Sequence, residues 1–256
     1  MTTPAPTPLA VAAAPRPTTL AAAVVAAAAL VALIAALVVG PVERGPGFHL
    51  YADQRTVAGV PRVGDVLSNA AFLAAAAWGL GRWWRGPAPR AWLVAWAGLA
   101  VGGIGLGSAG YHAWPGDGTL AADWLPIVLA LAAVSGAVVA DRAGRAAGRA
   151  VALGLSAAAV AGVAVWYLGG GTAGGDLRWY VATQLVGVAS PALVVLVTRG
   201  GRIDPRLILA ATALFVLARV AGAHDRALLD AVGLGGHSLK HLLAAGAAAL
   251  ALRALT

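Results

Sequence analysis

Long runs of apolar residues alternate with short polar segments along most of the chain. The first run, Leu20–Gly40, fills about 20 positions, enough for one helix to cross a bilayer. Seven further runs follow: Val66–Trp84, Trp92–His112, Leu120–Ala140, Ala150–Leu168, Trp179–Val197, Leu207–Gly222 and Ser238–Ala254. The pattern therefore predicts an all-α polytopic membrane helix bundle with eight crossings joined by short loops.

The segment before the second run divides into a tail and a helix. Residues 1–19 are rich in Pro, Thr and Ala with one charge, so we interpret them as a disordered tail. Leu20–Gly40 could alternatively be part of a signal peptide, but it is longer than the usual about 7–15 apolar residues and no small-x-small cleavage site follows. We interpret residues 20–41 as an additional N-terminal transmembrane helix preceding a helical domain at residues 42–256.

Composition supports a membrane protein and excludes several other classes. Residues of the AVILMFWYC group make up 60% of the chain and charged residues 11%, against about 25% charged in a soluble domain. A disordered protein needs low hydrophobicity, and the absence of cysteine excludes a disulfide scaffold or a thiolate metal site. The net charge of +8 comes from arginines scattered between apolar runs. We interpret them as loop anchors, so no nucleic-acid partner is expected.

The distribution of arginine predicts the orientation. With eight crossings, both termini share one face with the loops at 82–91, 141–149 and 199–206, which contain nine arginines; Arg16 and Arg253 add to that face. The opposite face carries fewer arginines: Arg44, Arg55, Arg62, Arg178 and Arg226, with Arg219 near the end of a span. Positive residues favour the cytoplasm, so we expect cytoplasmic termini. The Ala, Gly and Arg richness is typical of a GC-rich genome, which indicates a bacterial cell membrane.

Four polar side chains are predicted to meet at the arginine-poor face. His112 ends the third span, His237 and His241 open the eighth, and Asp123 lies just inside the fourth. A charged or imidazole side chain at membrane depth costs free energy, so each is a functional hypothesis. Their convergence follows from the topology alone.

The chemistry of these residues fits a zinc site. His237 and His241 are four residues apart, so both imidazoles project from one helix face, about 5–6 Å apart at Cβ. With His112 they form three protein ligands, and an open fourth position is typical of catalytic zinc. Zinc would lower the pKa of a water there to about 7. Asp123 is then the candidate general base, and Ser108, one turn before His112, could stabilise a developing oxyanion.

Each residue also has an ordinary structural interpretation. A histidine pair four residues apart can arise by chance, and His112 could be an interfacial histidine. Asp123 could stabilise a helix start, and Ser108 could serve helix packing. Lys240 is interpreted as snorkelling to the interface. The joint occurrence favours a site.

The ordered motifs resemble those of the alkaline ceramidase family, within the heptahelical hydrolase superfamily that includes adiponectin-receptor-like proteins. The resemblance rests on S-x3-H at Ser108–His112, on Asp123 eleven residues later, and on HSLKH at residues 237–241. YADQR at Tyr51–Arg55 and VLSN at Val66–Asn69 reinforce it. It covers about residues 48–254.

The resemblance implies a seven-helix hydrolase core beginning near Asp65, with Leu20–Gly40 as an extra helix. It implies zinc on the three histidines, water activation by Asp123, oxyanion stabilisation by Ser108, and hydrolysis of ceramide-like lipid amides to a fatty acid and an amine base. Animal members carry an acidic calcium cluster before the core. Here residues 47–65 offer only Asp53 and Asp65, whereas calcium takes about six to eight oxygen ligands, so calcium is not expected.

Three other functions remain open on the sequence. A heptahelical receptor or sensor would use zinc structurally and show no turnover. A phospholipid esterase would use the same site on esters. A transporter would place polar residues through the depth of several helices, whereas here they cluster at one face.

Overall fold

The computed structural model describes residues 17–86 and 92–256, and this part of the chain is helical with no β-strand beyond one isolated bridge between Val57 and Val60. The α-helices are α1 Pro17–Val39, α2 Val63–Leu67, α3 Ala70–Arg85, α4 Trp92–Ala113, α5 Asp117–Ala143, α6 Arg145–Leu168, α7 Arg178–Val197, α8 Pro205–Ala223, α9 Asp225–Val232 and α10 Gly236–Leu255. Short 3-10 turns lie at Pro46–His49 and Gly171–Ala173. Most of the expected disordered tail, residues 1–16, lies outside the described residues.

Eight spans among the described helices are long and apolar enough to cross a membrane, with α2 and α3 together forming one of them. This confirms the predicted all-α polytopic bundle. Each predicted apolar run forms a span, and the observed helices extend the predicted limits by a few residues. Helix ends lie in polar loops, where the apolar pattern that located the spans stops.

Six helices form a closed ring in which each contacts both neighbours, in the order α3, α4, α5, α7, α8, α10 and back to α3. Helix α6 packs outside this ring against α5 and α7, and α1 packs outside it against α7 and α5. The sparsest contact in the ring is between α7 and α8. The ring therefore encloses a central space with its thinnest wall between those two helices.

Small residues set how closely the ring helices approach. A Cβ on Gly107 of α4 would lie 2.6 Å from the carbonyl oxygen of Ala122 on α5, and one on Gly103 would lie 3.1 Å from Cβ of Pro126. Both glycines therefore act as packing residues between the two helices. They bring the C-terminal end of α4 against the N-terminal end of α5, next to Asp123.

Helix α1 is the most peripheral span. Only 11% of the residues in its apolar stretch are buried, and Ala21 and Val25 lie in the contact with α7 and α5. The chain after α1 is tied to the bundle at Val42, whose carbonyl accepts from the backbone N–H of Leu177 at 2.8 Å and whose N–H donates to Asp176 at 3.1 Å. The predicted N-terminal helix is therefore an addition to the outside of the ring.

The segment between the last two spans was expected to be a loop, and that expectation is wrong for residues 225–232. They form the short helix α9, whose residues are all at least partly exposed. The repeat of Leu and Ala on one side of an eight-residue segment is too short to stand out beside the long spans. Helix α9 holds the chain at the surface and delivers it to the start of α10.

Candidate metal centre

Three buried histidines meet where the C-terminal end of α4 faces the N-terminal end of α10. His112, His237 and His241 each offer a ring nitrogen, and these nitrogens all lie within 4.8 Å of one another. His112 Nε2 and His237 Nε2 are 3.2 Å apart. All three side chains are buried, with His112 fully so. The structure thus brings together the histidines that the topology argument placed on one face.

This nitrogen set fits a metal ion. Ligands at about 2.0–2.1 Å in a tetrahedral zinc site lie about 3.4 Å from one another, close to the 3.2 Å between the two Nε2 atoms. A cation bound between these two buried nitrogens would stabilise their close approach. The group could hold a metal ion. Imidazole suits zinc and also copper, iron and nickel, so the donor set is compatible with zinc without identifying it.

A serine from the segment after α2 orients one of the histidines. Ser68 Oγ lies 2.9 Å from His241 Nδ1, and the same hydroxyl donates to the carbonyl oxygen of Asp65 at 3.1 Å. A partner on one ring nitrogen fixes the tautomer and leaves the other nitrogen for a metal. Ser68 lies in the VLSN motif, but its contact with His241 follows from the tertiary structure.

The backbone of His112 is held from outside its helix. Arg62, in a left-handed conformation with φ of 45°, donates from Nε to the carbonyl oxygen of His112 at 2.5 Å and from Nη2 to that of Ala113 at 3.1 Å. These are carbonyls that the end of α4 leaves without intrahelical partners. Nδ1 of His112 is buried with no hydrogen-bond partner in the described part of the chain.

Tyrosines cover the histidines from the loop side. The Tyr51 ring lies 4.1 Å from the His237 ring and 4.8 Å from the His112 ring, centroid to centroid. Its hydroxyl donates to the Tyr111 hydroxyl at 3.2 Å. Burial, followed by the neighbouring Tyr111, raises the pKa of Tyr51 far above its usual value. Tyr51 therefore keeps its proton and shields the histidines from water. The sequence indicated it only through the YADQR motif.

The loop that carries Tyr51 is locked by a buried carboxylate. Asp53 is fully buried and accepts from Arg55 Nε at 2.7 Å and from the backbone N–H of Gly64 at 3.0 Å. The Arg55 hydrogen bond holds the pKa of Asp53 below its usual value, although burial acts in the opposite direction. Asp65, the other acid of residues 47–65, accepts from Ser238 Oγ at 2.7 Å. Both acids thus stabilise the loop and the start of α10.

Asp123 and Ser108 lie beside the histidines as a bonded pair. Both are buried, and a side-chain hydrogen bond joins them. Ser108 Oγ also lies 3.4 Å from His241 Nε2. The other carboxylate oxygen of Asp123, Oδ1, is buried without a partner among the described residues. The two predicted chemical groups are therefore adjacent to the metal-ligand candidates, with one carboxylate oxygen available.

Two residues outside the membrane spans also belong to this region, Asp225 at the start of α9 and His49 at the end of the first 3-10 turn. Asp225 accepts from the backbone N–H of His237 at 2.9 Å and of Ala52 at 2.8 Å, so it ties the first turn of α10 to the Tyr51 loop. His49 Nδ1 lies 3.0 Å from the hydroxyl of Tyr111. A single Asp or His outside the spans carries no sequence signal for such contacts.

Lys240 does not snorkel, contrary to expectation. Its Nζ lies 2.9 Å from His237 Nε2, so the side chain turns into the site and away from the interface. An ammonium that donates to this nitrogen must leave it when the nitrogen binds a metal ion. Lys240 also lines the cavity described next, which gives it room to do so.

A cavity of about 480 Å³ runs from the histidines into the ring. Helix α10 contributes one continuous face to it, with spacings of three, four and seven residues: His237, Lys240, His241, Ala244, Ala247, Ala248, Ala251 and Leu252. From His237 to Ala251 this face is about 21 Å long at 1.5 Å per residue. The alanines leave space that larger residues would fill, and most other lining residues are apolar. The volume is within the about 300–1,000 Å³ of typical ligand sites.

Comparisons with models of protein families, with curated proteins and with solved structures find no match to this chain.

Proposed function

We propose that this protein is a zinc-dependent integral membrane amidohydrolase of the alkaline ceramidase type, which cleaves the amide of a ceramide-like N-acyl lipid to a fatty acid and an amine base. The observation that carries the proposal is the position of three histidines and one carboxylate at the polar end of an otherwise apolar cavity inside a membrane bundle. This arrangement suits a ligand with a polar reacting group and a long apolar chain.

His112, His237 and His241 would hold the zinc ion through their ring nitrogens. When bound, zinc supplies Lewis acidity that activates water for attack at neutral pH. Ser68 keeps His241 oriented through its bond to Nδ1, and Tyr51 excludes bulk water from above. These contacts arrange a dry site, in which electrostatic interactions are stronger than in water.

Asp123 would move the proton. Its free Oδ1 accepts a proton from the attacking water and returns it to the nitrogen of the amide as the carbon–nitrogen bond breaks. Ser108 Oγ lies next to both Asp123 and His241, and its hydroxyl hydrogen, which is bonded to Asp123 in the resting site, would turn to the oxygen of the amide carbonyl as negative charge develops there. The products are a carboxylic acid and a free amine, with one water consumed.

The acyl chain would lie along the alanine face of α10, and the lipid would enter sideways through the thin contact between α7 and α8. The amide then sits at the histidines while its chain stays in an apolar environment. A sideways path avoids transferring the chain through water, which costs about 0.8 kcal/mol per CH₂.

The test combines metal analysis with turnover on purified protein in detergent. Wild type is expected to contain about one zinc per chain, the number that three histidine ligands can hold, and to release fatty acid from a ceramide. The His237→Ala/His241→Ala double variant should lose both metal and turnover. Asp123→Asn should keep the metal and lose turnover.

His224→Ala serves as the matched control, because the His224 side chain is exposed and its Nδ1 lies 2.9 Å from the carbonyl oxygen of Val220. It should keep metal and activity. Protein that is folded but free of zinc would overturn the proposal. Zinc without turnover of amides would favour the sensor, and release of fatty acid from phospholipid alone would favour the esterase.

A further inference from the structure

The polar end of the cavity carries more positive than negative charge. Among the described residues that line it, Arg44, Arg219 and Lys240 are cationic and Asp123 is the one acid. Asp123 is already hydrogen-bonded to Ser108. A metal ion on the three histidines adds further positive charge. Charges at membrane depth are costly unless they are paired, so this surplus requires a partner.

No close ion pair among the described residues supplies that partner. None of the ion pairs formed within residues 17–86 and 92–256 includes Lys240, Arg219 or Arg44. Arg44 lies over the Phe48 ring at 5.2 Å. Lys240 is half-buried, and within the described part of the chain its hydrogen-bond contact is with the His237 ring. A metal ion bound to His237 Nε2 would break the contact between Lys240 Nζ and this nitrogen.

Lys240 and Arg219 face the same part of the cavity. The stem of Lys240 passes over Gly222 of α8, where a Cβ would lie 3.1 Å from Cδ of the lysine. Arg219 is one turn before Gly222 and therefore on the same face of α8. Each lies about four residues, or roughly 6 Å, inside the end of its helix. An anion between α8 and α10 at this depth would meet both cations.

We infer that the cavity takes an N-acyl amino acid, a single-chain lipid amide whose amine part ends in a carboxylate. The acyl chain lies along the alanine face of α10, the amide is beside the histidines, and the carboxylate is held by Lys240 and Arg219. The inference rests on the proposed function for the position of the amide. It replaces the neutral headgroup of a ceramide with an anionic one, because a neutral headgroup would leave the surplus charge unpaired.

Equilibrium binding distinguishes the two headgroups without requiring turnover. The Asp123→Asn protein is placed in nanodiscs of phosphatidylcholine, and its dissociation constants for radiolabelled N-oleoylglycine and N-oleoylethanolamine are measured. The two probes share the chain and the amide and differ in a carboxylate against a hydroxymethyl group. Because charge-assisted hydrogen bonds are the stronger kind, N-oleoylglycine should bind about 10-fold or more tightly than the neutral probe.

Charge-removing variants on the same background locate the carboxylate. Lys240→Met and Arg219→Gln should each weaken N-oleoylglycine binding by about 10-fold. The dissociation constant for N-oleoylethanolamine should change by no more than about twofold, as is usual for a substitution that removes no specific contact. Arg226→Gln is the control, since Arg226 lies on exposed α9 near the same membrane face and pairs with Asp230. It should change neither constant.

Three results would overturn the inference: equal affinity for both probes, equal weakening of both probes by the Lys240 and Arg219 variants, or displacement by phosphatidylglycerol with no preference for N-oleoylglycine. The last would assign the cations to a phospholipid headgroup. The outcome is separable from the proposed function. If N-oleoylglycine binds selectively but the wild type hydrolyses no amide, the proposed hydrolase function is wrong and this inference stands. If the wild type hydrolyses neutral amides but shows no preference for N-oleoylglycine, this inference is wrong and the proposed function stands.

Discussion

His241 shows how one side chain is fixed by several elements. Its Nδ1 meets Ser68 from the segment after α2, its Nε2 faces Ser108 of α4, and its ring lies 5.0 Å from that of His112. Each contact limits one rotation of the imidazole. A hydrogen-bond partner that orients a metal-binding histidine in this way typically raises the metal affinity by about 10–100-fold.

Removing the Ser68 hydroxyl is expected to weaken metal binding. Ser68→Ala leaves His241 Nδ1 without its partner, so zinc affinity should fall by about 10–100-fold, as measured by competition with a chelator. Ser156→Ala is the control, because Ser156 is also a buried helical serine but lies on α6 without a hydrogen-bond partner among the described residues. Equal affinities of the two variants would contradict the orienting role.

The hydrogen bonds that Asp53 accepts from Arg55 and Gly64 predict that the stability of the protein depends on pH. Because Arg55 lowers the pKa of Asp53 in the folded state, its contribution is fully present above the unfolded pKa of about 3.9 and is lost as pH falls toward the lower folded value. Asp53→Asn should therefore lower the Tm by a constant amount from about pH 7 to about pH 5, and the difference from wild type should shrink below about pH 4.

Thermal unfolding of both proteins in detergent across this range measures the effect. Asp230→Asn removes an exposed pair with Arg226 and should show no appreciable difference at any pH, since exposed pairs contribute about 0–1 kcal/mol. If the Tm difference between wild type and Asp53→Asn stays the same at the lowest pH, the ionised Asp53 carboxylate is not the cause of the difference.

Helices α4, α5 and α10 form the site because they approach closely at one end. Gly107 lets the backbone of α4 lie against that of α5 at Ala122 and Asp123, and so places Ser108 within reach of the carboxylate. Asp225 then fixes the first turn of α10. The positions of the chemical groups therefore depend on backbone contacts one residue away from them.

Gly107→Ala is expected to separate α4 from α5. Its Cβ would meet a backbone carbonyl oxygen at 2.6 Å, and overpacking costs about 1–3 kcal/mol, which lowers the Tm by about 2–4 °C per kcal/mol in a protein of this size. Fatty acid release should fall with it. Gly110→Ala, on the same helix with no atom within 4 Å of its Cβ, should leave both measurements unchanged or raise the Tm slightly.

The whole bundle divides into a ring around the cavity and two outer helices. The even number of spans among the described residues places both ends of the bundle on one side, with the histidines at the opposite side. The arginine count predicts that the histidine side is exoplasmic. The histidine end of the cavity would then face the exoplasmic side.

Cysteine labelling tests this orientation, since the chain has no cysteine of its own. Leu50→Cys, 76% exposed on the histidine side, should react with a membrane-impermeant maleimide in intact cells. Ala146→Cys, exposed at the start of α6, should react only after permeabilisation. Labelling of Ala146→Cys first would show that the predicted orientation is inverted.

The sequence indicated the spans well and the surroundings of the site less well. Span length and apolarity are local, so each run was located within a few residues. The pair His237 and His241 followed from helical periodicity. By contrast, Ser68 contacts His241 and Asp225 contacts Ala52, each across 173 positions, and no local pattern encodes such contacts. Lys240 turns toward His237, three residues before it, and the cavity that gives it room is formed by other helices.

By itself the sequence determined that the protein is a helical membrane bundle, and that His112, Asp123, His237 and His241 lie at one face. The helical spans follow from the requirement that backbone polar groups be satisfied within each span, and the common face follows from the number of crossings between these residues. Only the tertiary structure decided that the three imidazoles bring their ring nitrogens within 4.8 Å of one another and that an alanine-lined cavity lies beneath them. Helix packing in a bilayer depends on shape complementarity between small residues, and that becomes defined only when the ring closes.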